Sequence, residues 1–288
     1  MTSATPHSNG HRVMARGGLV IALLSAKGSP GATTAAVGLA AQWPESGAAV
    51  IEVDPSGGDL ASRFGLHPDP GLASAALESR RDARDLEPRR WTQRLPCVVD
   101  AVLAPPGTAA AASLSELAGR GPELLRAITN HYPAVMVDAG RWQPHSAADP
   151  LLGLADVVLL VARPAVDEIR QVQDRLPHLR SLSSDVHLLL VGDGPWSAGE
   201  VGAALGVTVA GELPSDRRGA GVLSGRLVPR GGWSSAGWHR LPLLRALSDL
   251  AGQLHAPRAA GGPTSKALSR AQLATWARTG SGVKAVGS

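Results

Sequence analysis

The 288-residue chain has one cysteine, one tyrosine, one phenylalanine and only three lysines. A single thiol, Cys97, excludes an intrachain disulfide and any metal site built from several cysteines. Its neighbours Leu95, Val98 and Val99 mark it as a small core residue rather than a reactive thiol. Seven tryptophans make up the remaining aromatics, so Val, Leu and Ala must fill most of the core. The apolar run at 19–24 is too short for a signal segment or a membrane span, and a soluble cytoplasmic protein is expected. Nine histidines form no HExxH pattern, and no G-x-S-x-G elbow occurs, which removes those two hydrolase chemistries.

Acid is missing from one end. Residues 251–288 carry Arg258, Lys266, Arg270, Arg278 and Lys284 and no Asp or Glu, so of the net charge of +4 the first 250 residues contribute −1. The basicity belongs to a tail, and the pI alone does not argue for nucleic-acid binding. Such a tail can steer a protein toward DNA, anionic lipid or an acidic partner. A solvated tail without a partner is the simplest expectation. Its Leu268, Leu273 and Trp276 spread over too broad an arc for a membrane-seeking helix.

What is present is alternation. Continuous apolar runs at 19–24, 48–53, 98–103, 134–137, 157–161, 186–191 and 207–210 fit strands buried on both faces. Between them, helices are expected at 33–43, 72–86, 113–130, 166–179 and 197–205, with a closing helix at 241–254. The segment 219–237, rich in Gly, Arg and Trp, reads as a loop, with Trp233 and Trp238 either a partner patch or a cover over the core edge. The alternation predicts an α/β fold with a doubly wound, mainly parallel sheet flanked by helices. The expected division is a flexible segment at 1–17, one domain at 18–256 and a basic flexible tail at 257–288.

The first strand leads into Ser25-Ala26-Lys27-Gly28-Ser29-Pro30-Gly31-Ala32-Thr33-Thr34. Glycines let backbone approach a phosphate, and the first amides of the following helix point at it. Gly and Pro alone also fit an ordinary βα turn. The second strand ends in Glu52-Val53-Asp54-Pro55, and the run at 134–137 ends in Asp138. Carboxylates at the carboxyl edge of parallel strands stand where ligands bind in such sheets.

The loop resembles the deviant Walker A motif of the MinD/ParA family, K-G-G-x-G-K-[ST]-[ST]. Asp54 falls on the second acid of that family's D-x-D-P segment, with Glu52 replacing the first, and Asp138 falls on its Walker B acid. Leu154-Ala155-Asp156-Val157-Val158-Leu159-Leu160-Val161-Ala162-Arg163-Pro164 is similar to the family's ADxVLLVxxP strand, and Gly211-Glu212-Leu213-Pro214-Ser215-Asp216 to its IPxD segment. These ordered matches run from residue 19 to about 216.

The resemblance implies a P-loop fold binding ATP or ADP with magnesium. Gly28, Ser29, Gly31, Ala32, Thr33 and Thr34 would hold phosphates, Thr33 and Asp138 the magnesium, and Pro214 would pack beside the base. Asp54 would orient the attacking water, and Lys27 would reach across a nucleotide-sandwich homodimer. A protein partner within a larger machine is also implied. Where relatives often carry an adenine-reading Asn, this chain has Gly192 and Asp193.

One departure stands out: Ala32 replaces the lysine that bridges the β- and γ-phosphates, and Pro30 removes an amide from the cradle. Three outcomes follow. Lys27 or an arginine such as Arg63, Arg217 or Arg218 substitutes and slow hydrolysis survives; the site binds without useful turnover as a dimerising switch or scaffold; or only the fold remains, as a pseudo-ATPase interaction module. The second is expected, in line with the altered loops of pilus-assembly proteins of the CpaE/TadZ branch.

Overall fold

A computed structural model describes residues 17–45, 47–80 and 86–256. The basic tail at 257–288 and all but Gly17 of the N-terminal segment lie outside these residues.

The apolar runs become an eight-stranded sheet of order β3-β4-β2-β5-β1-β6-β7-β8. In chain order the strands are β1 (Leu19–Ser25), β2 (Ala49–Glu52), β3 (Gln93–Arg94), β4 (Asp100–Val102), β5 (Ala134–Arg141), β6 (Val157–Ala162), β7 (Val186–Val191) and β8 (Thr208–Leu213). All neighbours pair in parallel except the short edge strand β3.

Alternate residues of each strand feed two cores. Val20, Ala22 and Leu24 of β1 face helices α3 (Leu72–Glu78), α4 (Thr108–Leu117), α5 (Gly121–Thr129), α6 (Asp149–Leu152), α7 (Val166–Leu182) and α8 (Ala198–Leu205). Ile21 and Leu23 face α1 (Ala32–Ala41), α2 (Leu60–Phe64), α9 (Arg217–Leu223) and α10 (Pro242–His255). Cys97 is buried in the second core, and burial pushes its thiol up to about 11, as suits a packing residue.

Several sequence expectations change here. The helix expected over 113–130 is two helices, parted at Ala118–Arg120 by a turn through Gly119. The helix expected from 72 ends at Glu78. The strand expected from Val98 starts at Asp100, because Val98 sits at φ 64° in a tight turn closed by its own N–H on the Leu95 carbonyl. The loop expected from 219 begins instead inside α9, whose start is capped by the Asp216 carboxylate, accepting from the Arg218 and Gly219 amides at 3.0 Å. Trp238 is buried and donates its indole N–H to the Trp233 carbonyl at 3.1 Å, and Trp233 packs near Phe64. The two tryptophans cover the core edge. No helix among the described residues is long and apolar enough to cross a membrane.

Candidate functional site

The chain enters α1 from the carboxyl end of β1, at the middle of the sheet. The turn needs glycine at two places, Gly28 at φ 69° and Gly31 at φ 113°, where an L side chain is strained. The first backbone bond of α1 runs from the Ala35 N–H to the Gly31 carbonyl at 2.8 Å. The amides of Ala32, Thr33 and Thr34 are therefore the free donors of the helix start, and neither a side-chain cap nor a first-turn acid offsets them.

These amides open into a cavity of about 1130 Å³ above the carboxyl ends of the strands. The cavity brings together Gly28, Ser29, Gly31, Ala32, Thr33, Thr34, Asp54 and Pro214 of the sequence-derived set. Two of that set stand elsewhere. Lys27 does not line the cavity; its Nζ pairs with Asp167 at the start of α7, 2.9 Å away. That contact holds the Asp167 carboxyl below its ordinary value. Asp138, 2% exposed, lies beneath the cavity floor and reaches it through a hydrogen bond from the Thr33 hydroxyl.

Burial raises the Asp138 carboxyl to about 6, against the Thr33 hydroxyl and the Gly140 N–H (3.0 Å), which favour the ionised form. Asp54 spans two loops, accepting from the Ser56 N–H at 2.8 Å and the Arg141 N–H at 3.1 Å. It approaches Gly140 so closely that a Cβ there would stand 2.0 Å from the Asp54 carboxylate, and Gly140 also has φ 53°. Position 140 is glycine for both reasons.

Glu52, in register with Asp138 across β2 and β5, has a different task. Its carboxylate accepts the Asp59 and Leu60 amides at 2.8 Å and the Ala104 amide at 3.0 Å. Burial nevertheless raises it to about 7. It ties α2 to β2 and β4.

Among the described residues no group of three or more His, Cys, Asp or Glu could hold a metal ion. The Thr33 hydroxyl and the Asp138 carboxylate do fit magnesium, a hard cation that keeps waters and takes further oxygens from phosphates.

The cavity also carries five arginines, Arg63, Arg141, Arg163, Arg217 and Arg226, against four aspartates. Of the three arginines named from sequence, Arg63 and Arg217 line it and Arg218 does not. Arg163 escaped the sequence entirely. Its guanidinium reaches the Ser29 carbonyl at 3.3 Å and Glu168 at 3.2 Å, fastening the loop to the start of α7. The only signal was its place at the end of an apolar strand.

No family model and no curated protein matches the sequence. Solved structures do. A ParA family ATPase from Chlorobium tepidum superposes with a TM-score of 0.66 at 19% identity, over 83% of this chain and 99% of that one. A chain of the MinC:MinD cell division protein complex of Aquifex aeolicus gives 0.62 at 16%, over 86% and 100%. The septum site-determining protein MinD of Pyrococcus horikoshii, complexed with Mg-ADP, gives 0.62 at 15%, over 82% and 96%. At these identities the likeness is one of architecture, and with the glycine loop at the head of α1 it shows that this chain has the MinD/ParA-like P-loop fold.

Proposed function

We propose that the 18–256 domain binds a magnesium-complexed nucleoside phosphate and works as a dimerising spatial organiser or scaffold, in partitioning, pilus or secretion assembly, or division-site placement, with hydrolysis weak or absent. The observation that carries this is the cavity itself, where three free helix-start amides meet an excess of arginine over aspartate. Magnesium, when bound, would draw phosphate oxygens toward Thr33 and Asp138.

Weak hydrolysis follows from position 32. A charge-assisted contact from a loop lysine contributes roughly 1.5–3 kcal/mol, which Ala32 cannot supply, and phosphoryl transfer depends on such stabilisation of its transition state. Arg141, Arg217 and Arg226, which form no ion pair among the described residues, supply positive charge from farther out. That suits binding better than turnover.

An interaction module with an empty cavity is the alternative, and Pro30 favours it, being buried in the loop and lacking an amide. Titration with magnesium nucleotides separates the two: binding at millimolar concentration or better is expected, and its absence would overturn the nucleotide proposal. Light scattering should show a nucleotide-dependent doubling of mass that Lys27→Ala abolishes; equal masses would sink the dimer.

A further inference from the structure

The two ends of the cavity offer different chemistry. The α1 end presents amides. The other end lies where the turns after β7 and β8 face each other. β7 stands two places from β1 in the sheet, so its turn lies roughly 10 Å from the phosphate loop, a gap that a nucleoside's sugar and base bridge.

At that end Gly192 donates its N–H to the Leu213 carbonyl at 2.8 Å, which fixes one side of the turn. Gly194 fixes the other: a Cβ there would stand 2.4 Å from the Pro164 carbonyl oxygen. Asp193 sits between these two anchors and lines the cavity, with no hydrogen bond or ion pair to its carboxylate among the described residues. The other acid at this end, Asp216, is already committed. One oxygen takes the Arg218 and Gly219 amides and the other the Leu243 amide at 3.2 Å. Leu213 and Pro214 give apolar surface beside them for the face of a ring.

An ionised carboxylate only accepts hydrogen bonds. Guanine presents two donors side by side, N1–H and the N2 amino group, which match its two oxygens as charge-assisted bonds. Adenine presents one amino donor beside the N1 lone pair, so one oxygen would face an acceptor. We propose that this end of the cavity takes a guanine base, with Asp193 as the specificity-determining acceptor. This rests on the nucleotide proposal above and revises the adenine base that the family resemblance implies.

The test titrates the full chain with magnesium GDP and ADP labelled on the ribose, which leaves both base edges free. GDP should bind tighter by roughly ten-fold or more, the discrimination typical of a bidentate contact. Asp193→Asn supplies a donor beside an acceptor; it should erase that preference and raise affinity for xanthosine diphosphate, whose C2 carbonyl replaces the amino group. A merely structural role for Asp193 would not exchange guanine for xanthine. Equal binding of GDP and ADP, a preference for ADP, or an unchanged ratio in Asp193→Asn would overturn the inference while leaving nucleotide binding intact. Failure of both nucleotides to bind would overturn the nucleotide proposal and this inference with it.

Discussion

Glu52 and Asp138 are acids at the same height on adjacent strands, each 2% exposed, and each raised by burial. Three backbone amides fill the Glu52 carboxylate and make it a structural clamp. Asp138 meets one amide and one hydroxyl, and that hydroxyl belongs to a cavity residue. Burial and a raised pKa are therefore shared by a brace and a candidate site. Unused acceptor capacity facing a cavity tells them apart.

The sharpest way to break that comparison is to remove each acid in turn. Glu52→Ala leaves three amides without their acceptor and should cost roughly 3 kcal/mol or more of unfolding free energy, read by denaturant titration. Asp138→Asn keeps an acceptor for Gly140 and should stay within about 1 kcal/mol, while removing the magnesium dependence of ligand binding. Equal losses of stability would show that the two acids do the same job.

Ala32→Lys works on the cavity side of the comparison. A cation restored at the head of α1 should tighten magnesium-nucleotide binding roughly ten- to a hundred-fold, measured calorimetrically. Unchanged affinity would place the defect in the backbone around Pro30.

The smallest effect is on pH dependence. Both carboxyls hold protons more tightly in the folded chain than at their ordinary values of 3.8 and 4.5. Their share of stability is thus complete below those ordinary values, and it is lost as pH rises through about 6 for Asp138 and about 7 for Glu52. Denaturation midpoints should fall modestly across that window. Glu52→Gln should flatten the part nearer neutrality and Asp138→Asn the part below it.

Much of the fold was legible because parallel strands buried on both faces leave uninterrupted apolar runs, as at β6 and β7. The glycine loop was legible because its backbone geometry demands particular residues at fixed offsets. Helix α9 was not, since Gly219 and Gly221 argue against a helix on propensity; the Asp216 cap and packing of Val222 and Leu223 into the core override them. Arg163 and Ser29 lie 134 residues apart, and only folding brings them together. The two tasks of Glu52 and Asp138 were likewise hidden, because the amides that separate them come from residues 59, 60 and 104.

The scarcity of lysine gives the Lys27–Asp167 pair a chemical use. Lys27 is the one lysine among the described residues, since the other two stand at 266 and 284. An amine-acylating reagent applied to the native protein therefore meets, across the whole described body, a single side-chain amine, and it is half exposed and tied to one carboxylate. The yield of acylated peptide, read by mass spectrometry, reports on that one contact at the edge of the phosphate loop, with no label or substitution introduced.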